Sequence, residues 1–110
     1  MVEHLIRDAI EKLNEKRESD EKVRAELEGL DRTIMISLTD GRIFNFAIEN
    51  GHLSELRDGA IQNPDISIES DAETLEGIFK GEIGAMKALA LKRIRVNASI
   101  QDMLRIRKLF

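Results

Sequence analysis

The order of secondary-structure signals in residues 65–110 constrains the fold of this chain more than any other feature. Alternation of Ile66 and Ile68 predicts a short strand. The stretch Ser70–Glu73 that follows is a capping box, in which two side chains satisfy the first free amides of a helix, and Gly81 ends that helix. A second helix, a strand and a terminal helix complete the order, which favours helices packed on one face of a sheet.

The spacing of apolar residues also predicts the last strand and the helices of this region. Ile94 and Val96 alternate with basic residues and predict a strand. Ser99 is placed to cap the terminal helix, whose last turn carries basic side chains that the helix dipole favours. The apolar positions of the three helices are Leu75, Ile78 and Phe79, then Ile83, Met86, Leu89 and Ala90, and finally Ile100, Met103 and Leu104.

The N-terminal residues predict two further helices. Apolar side chains recur at three-to-four spacing over residues 2–18, which is typical of an amphipathic helix. Ser19 or Asp20 then caps a second helix that ends near Gly29.

From Thr33 the apolar period changes to two, which predicts strands. Asp40–Gly41 and Asn50–Gly51 are hairpin turns between them, and His52–Arg57 is a short polar edge strand followed by a loop over residues 58–64. The predicted element order is therefore αα-βββ-β-αα-β-α. We expect an α+β fold with a five-stranded, mostly antiparallel sheet covered on one face by helices.

Length and composition limit the class of protein. With 110 residues the chain is expected to form a single domain, 1–110. No stretch approaches the roughly 18 consecutive apolar residues of a membrane span. The absence of cysteine favours a reducing compartment, and we expect a cytoplasmic protein.

Charge is distributed unevenly along the chain. Residues 1–83 carry 10 basic and 20 acidic side chains, whereas residues 84–110 carry 7 basic side chains and 1 acidic one, Asp102. The acidic body disfavours nucleic acid as a partner, because nucleic-acid binding depends on neutralising phosphates. The basic end is suited either to a peripheral contact with anionic membrane lipids or to ion pairs with the acidic body.

The residue types that catalysis needs do not occur in usable patterns. His4 and His52 lack partners at metal-ligand spacing, and none of the serines lies in a nucleophile elbow. Carboxylates two residues apart on a helix, such as Asp71 and Glu73, point in different directions. We therefore predict a protein that is not an enzyme, with no catalytic residue, no metal site and no cofactor.

Five segments have the order and spacing of a known family. They are Asp65–Ile68, Ile78–Ile83, Lys87–Leu89, Lys92–Val96 and Ile100–Leu109. Together they resemble the sterol carrier protein type 2 family of lipid-binding domains, whose members carry Gly-Lys-Leu and Lys-Ala-Phe motifs within the second and third segments. The resemblance extends from Leu5 to the end of the chain and implies a hydrophobic tunnel between the sheet and the helices.

The resemblance also implies that this tunnel takes a fatty acyl chain, acyl-CoA, a sterol or another lipid, which the protein carries. The residues predicted to contact the ligand lie on the apolar faces of strands and helices, where packing into an ordinary core is the alternative. They are Ile36, Phe44, Phe46, Ile78, Phe79, Ile83, Met86, Leu89, Met103 and Leu104. Three basic residues, Lys87, Lys92 and Arg105, are predicted to attract the ligand's carboxylate or phosphate head group or a membrane surface.

The chain departs from the family pattern at three positions. Ala85 replaces the usual proline, and Lys92 and Ala98 replace glycines that flank the last strand. Larger side chains there are expected to narrow the tunnel or its mouth. The sequence also does not end in the peroxisomal tripeptide of eukaryotic members, which favours a prokaryotic, cytoplasmic relative.

Two alternative functions stay open. In the first, the protein's own side chains fill the pocket and the domain mediates a protein interaction or a homodimer, with Val2, Ile6, Ile10 and Leu13 as the seam. In the second, the chain is an accessory domain that presents a hydrophobic substrate to a separate enzyme.

Overall fold

The structure is a computed structural model that describes residues 2–109. Five helices and six strands follow one another in this part of the chain. They are α1 (Val2–Ser19), α2 (Glu21–Leu27), β1 (Arg32–Leu38), β2 (Ile43–Glu49), β3 (His52–Leu53), β4 (Arg57–Asp58), β5 (Ile66–Ser70), α3 (Ala72–Phe79), α4 (Ala85–Ala90), β6 (Ile94–Asn97) and α5 (Ile100–Leu109). The predicted α+β class and the order of the helices are confirmed.

The strands form one sheet with the spatial order β3-β2-β1-β5-β6. β1 lies at the centre and pairs antiparallel with β2 and parallel with β5. β6 pairs antiparallel with β5 and forms one edge. The sheet is therefore mostly antiparallel, as predicted, with β6 at one edge and the β3–β4 segment at the other.

The predicted edge strand at residues 52–57 is divided into β3 and β4, which pair with opposite ends of β2. Between them the Ser54 amide donates to the Ala47 carbonyl at 2.7 Å, and the Ser54 hydroxyl accepts from the Ala47 amide at 2.9 Å in place of a backbone carbonyl. The segment is also less polar than predicted, because Leu53 and Leu56 are buried. The sheet consequently has six strands rather than five.

α1 packs against α2, α3 and β3. Its apolar stripe is buried in the hydrophobic core and consists of Val2, Ile6, Ile10 and Leu13. The prediction that this stripe forms a dimer seam is therefore wrong. An amphipathic pattern shows that one face is buried, but it does not show whether the same chain or a second one covers it.

Helix starts are set by side-chain oxygens that accept from amides of the first turn. Asp20 caps α2 and Ser99 caps α5, as predicted. At α3 the cap lies one residue later than predicted: Asp71, not Ser70, accepts from the Thr74 amide, at 2.8 Å. The Ser70 hydroxyl instead donates to the carbonyl of Asp71 at 2.9 Å.

The two predicted hairpin turns are confirmed, and each contains a glycine with positive φ, Gly41 at 98° and Gly51 at 83°. The second turn is also tightly packed. A Cβ added at Gly51 would lie 2.6 Å from the carbonyl oxygen of Leu27, so the turn fits against α2 only with glycine there.

Candidate functional site

The side of the sheet that faces the helices is apolar across its width. The register places Phe44, Ile36, Ile68 and Val96 side by side on β2, β1, β5 and β6. Burial along this row is uneven, because Phe44 and Ile36 belong to the closed core whereas Ile68 and Val96 are only partly buried. In this row the helices cover β2 and β1 more completely than β5 and β6.

Partly buried apolar side chains pack against the core, Ile68 and Val96 of this row among them, and we call the large ones the half-buried apolar layer. They come from three strands and three helices and are Val23, Phe46, Ile68, Phe79, Ile94, Val96 and Ile106. Because each keeps some surface in contact with solvent, an apolar molecule placed against them would remove further apolar area from water.

A polar cluster holds the start of α3 beside β6. Thr74 is fully buried, and its hydroxyl donates to Asp71 Oδ1 at 2.6 Å and accepts from Arg93 Nη2 at 3.1 Å. The hydrogen bonds from the Thr74 side chain and amide, with a smaller effect of the Arg93 charge, lower the pKa of the Asp71 carboxyl. This cluster fixes the α3 side of the candidate site relative to the sheet edge.

The loop between α3 and α4 folds back onto α3 through Ile83. A Cβ added at Gly77 would lie 2.6 Å from Ile83 Cδ1, so a larger residue at Gly77 would displace this side chain. The close approach explains a glycine in the middle of a helix, where it otherwise costs about 1 kcal/mol relative to alanine.

Asp102 ties α5 to the body of the protein from a buried position, 4% exposed. Its carboxylate accepts from Arg32 Nε at 2.8 Å and from Arg105 Nη1 at 2.7 Å. The hydrogen bond with Asp102 raises the pKa of the Arg32 guanidinium. A second tie joins Lys108 Nζ to Glu26 Oε1 at 3.2 Å. Ion pairs therefore connect α5 to both β1 and α2.

The three basic residues predicted to attract a head group lie in different environments. Lys87 and Lys92 are exposed, and within residues 2–109 neither has a carboxylate oxygen within 4.0 Å. Arg105 is partly buried and donates to Asp102, so its charge is already engaged in an ion pair.

The ten predicted ligand contacts lie at three depths. Ile36 and Phe44 are in the closed core, and Met86 and Leu104 are exposed. The remaining six are partly buried: Phe46, Ile78, Phe79, Ile83, Leu89 and Met103.

Five members of the half-buried apolar layer were not among those ten: Val23, Ile68, Ile94, Val96 and Ile106. Their apolar character was visible in the sequence as strand alternation and helical spacing. What the sequence did not show is which apolar side chains stay accessible, because that depends on how far each helix extends over the sheet.

Two clefts of the described surface lie away from this layer, and both are open to solvent. The larger, of 580 Å³, runs between α1 and the β3–β4 segment. The smaller, of 370 Å³, adjoins the start of β1 and the end of β2. Neither is lined by a predicted ligand contact, and the enclosed tunnel stays a prediction.

Within residues 2–109, no group of three or more His, Cys, Asp or Glu side chains is arranged to hold a metal ion. None of the helices described is both long and apolar enough to cross a membrane.

Comparison with known proteins decides the family. The model of the SCP-2 sterol transfer family matches residues 10–110. The chain belongs to this family. The resemblance carried by the five C-terminal segments is thereby confirmed. Among curated proteins, none matches the sequence significantly.

Solved structures of SCP-2 domains share the fold. Palmitated SCP2L2 from Aedes aegypti is 12% identical, with a TM-score of 0.63 over 91% of this chain and 88% of that one. UbiJ-SCP2, a ubiquinone synthesis protein, is 10% identical, with a TM-score of 0.65 over 94% of this chain and 84% of that one. At such identities the likeness establishes the fold alone.

The same fold is found within a larger enzyme. A double mutant of the sec-alkyl sulfatase PisA1 of Pseudomonas sp. is 17% identical, with a TM-score of 0.66 over 78% of this chain. This chain spans only 14% of the sulfatase. SCP-2 folds therefore occur both as whole small proteins and as parts of long ones.

Proposed function

We propose that the protein carries a hydrophobic ligand (a fatty acyl chain, acyl-CoA or another lipid) between the helices and the β5–β6 side of the sheet, without catalysing a reaction. The half-buried apolar layer carries this proposal, because its side chains are incompletely covered and three of them, Ile68, Ile94 and Val96, lie on β5 and β6. Membership of the SCP-2 sterol transfer family and the palmitated state of SCP2L2 support an acyl ligand.

An acyl chain obtains most of its binding free energy from burial, so few polar contacts are needed. Each methylene removed from water contributes about 0.8 kcal/mol, and a 16-carbon chain gains roughly 13 kcal/mol before the costs of binding are subtracted. Met86 and Met103 suit a site that accepts varied chains, because methionine adapts its shape. The ten predicted contacts are all part of the proposed site, with Ile36 and Phe44 beneath the layer rather than on its surface.

An anionic head group is proposed to lie near α4 and the turn that follows it. Lys87 and Lys92 support this position, because both are exposed and without a carboxylate partner among the described residues. Arg105 is the weaker candidate of the three, since binding a head group would require it to leave Asp102.

A second candidate function is that of an accessory domain that presents a hydrophobic substrate to a separate enzyme. The likeness to one part of a sec-alkyl sulfatase supports this alternative. In both cases we propose a prokaryotic protein in a cytoplasmic setting; the absence of cysteine supports the reducing compartment.

Two neighbouring residues of β6 allow a matched test of ligand binding. Val96 belongs to the half-buried apolar layer, whereas the exposed Asn97 points to the opposite face of the sheet. Val96→Trp is expected to fill the proposed site and weaken the binding of a dansyl-labelled fatty acid about tenfold or more, and Asn97→Trp to change it less than about twofold. Fluorescence titration in the absence of membranes measures both affinities.

Met103→Trp tests the helix side of the same site and is expected to weaken binding in the same direction. Circular dichroism and urea unfolding verify that each variant is folded. Equal affinities for Val96→Trp, Met103→Trp and the Asn97→Trp control would contradict the proposed position of the ligand.

A further inference from the structure

The exposed large hydrophobic side chains of the described residues all come from one stretch of chain, on either side of the edge strand β6. They are Met86 at 55%, Leu91 at 60%, Ile100 at 81% and Leu104 at 52% exposed. Single exposed apolar residues are ordinary, but a group that falls entirely within one stretch of chain, in the segments that flank an edge strand, favours an interaction surface.

This stretch is also the basic part of the molecule. Residues 84–110 carry a net charge of +6, whereas residues 1–83 carry −10. The ion pairs of Arg105 and Lys108 use two of the cations. Within residues 2–109, Lys87, Lys92 and Arg107 are exposed and have no carboxylate oxygen within 4.0 Å.

α5 mixes the two kinds of side chain on its outer face. Ile100, Leu104 and Arg107 are four and three residues apart and therefore share one side of the helix. Asp102 lies on the other side, buried against Arg32. An exposed helix face that carries both large apolar and basic residues is suited to the boundary between phospholipid head groups and acyl chains.

We propose that this surface, formed by Met86, Lys87, Leu91, Lys92, Ile100, Leu104 and Arg107, docks on an anionic phospholipid bilayer. The apolar side chains enter the head-group boundary and the basic ones contact lipid phosphates. Charge complementarity selects this occupant over a second copy of the chain, because a symmetric dimer through the same surface would place Lys87, Lys92 and Arg107 against the same three cations of the other copy. The acidic body is repelled by the bilayer and turns away from it.

Docking in this orientation brings β6 to the membrane. Ile94 and Val96 of the half-buried apolar layer belong to that strand, so a ligand would pass between bilayer and protein over a short apolar path. Transfer of a ligand from the bilayer rests on the proposed carrier function, but docking on the bilayer can be tested without any ligand. α1 does not supply the contact, because its apolar stripe is buried in the core.

Co-sedimentation with vesicles tests the proposal on the intact protein. We expect binding to phosphatidylcholine vesicles that contain phosphatidylglycerol, little binding to phosphatidylcholine alone, and weaker binding at high salt. Arg107→Glu is expected to weaken vesicle binding roughly 25-fold, because each cation near an anionic surface contributes about fivefold. Lys12→Glu makes the same charge change on exposed α1 and is expected to have an effect of about twofold or less.

The apolar part is tested by Leu91→Gln combined with Ile100→Gln, neither of which is a proposed ligand contact. We expect about tenfold or greater loss of vesicle binding, whereas Ala25→Gln combined with Ala60→Gln, at exposed positions elsewhere, leaves it unchanged. Both double variants are expected to keep the affinity for dansyl-labelled fatty acid in solution, which separates failure of docking from failure of the carrier function.

Three results would overturn the proposal: no binding to anionic vesicles, equal binding with and without phosphatidylglycerol, or equal losses in the surface and control variants. Sedimentation velocity without vesicles shows whether the protein self-associates through this surface. Self-association that Leu91→Gln with Ile100→Gln abolishes, in a protein that does not bind vesicles, would assign the surface to a second copy of the chain.

Discussion

Asp102 is the residue on which the position of α5 most depends. Asp102→Asn removes the charge that both Arg32 and Arg105 contact, and leaves two guanidinium groups without their shared partner. We expect the free energy of unfolding to fall by about 1–3 kcal/mol. This is less than for a fully buried pair, because both arginines are partly exposed and can be solvated. Urea unfolding measures the change.

Asp40→Asn is the matched control, since it breaks an exposed ion pair with Arg42 at 2.7 Å. Exposed pairs of this kind contribute little to stability, so we expect a smaller loss than for Asp102→Asn. A loss no greater for Asp102→Asn than for Asp40→Asn would show that α5 does not depend on the buried carboxylate.

At the scale of the element, the N-terminus of α3 carries a pH-dependent contribution to stability. The Thr74 hydrogen bonds lower the pKa of Asp71 in the folded protein. A carboxyl of this kind stabilises the fold above its unfolded pKa, near 3.9, and the contribution is lost as the pH falls through the lower, folded value. The stability difference between wild type and Asp71→Asn is therefore expected to be largest near neutral pH and to shrink below about pH 4.

Asparagine keeps one of the two acceptor oxygens at this position and does not titrate, so the pH dependence of the stability difference reports the Asp71 charge. Urea unfolding from pH 7 to pH 3 measures it, with Glu73→Gln as a control for an exposed carboxylate on the same helix. The interpretation fails if the difference between wild type and Asp71→Asn is constant over this range.

For the molecule as a whole, the sequence predicted features that depend on neighbouring residues but did not predict contacts between residues far apart in the chain. The helix order, the Asp40–Gly41 and Asn50–Gly51 turns and the Ser99 cap were predictable, because each depends on residues a few positions apart. The pairing of Asp102 with Arg32, 70 residues earlier, was not. Nor was the burial of the Val2–Leu13 stripe within its own chain, because periodicity does not identify the covering surface.

In the candidate site, too, the sequence predicted the type of side chain but not its long-range contacts. The apolar character of Val96 was visible as alternation, but its partial exposure depends on how the helices lie over the sheet edge. The break at Ser54 arises from one hydroxyl that replaces a backbone acceptor, which strand periodicity does not encode.

We propose that this fold holds a lipid, and native mass spectrometry of the protein purified without detergent is the most direct test of this claim. We predict a mass increased by one lipid molecule per chain, released by organic extraction, and restored one-to-one when palmitate is added to the stripped protein. A chain mass that stays unchanged after incubation with fatty acids, acyl-CoA and isoprenoid lipids would contradict the claim and favour a protein-interaction domain whose interior is filled by its own side chains.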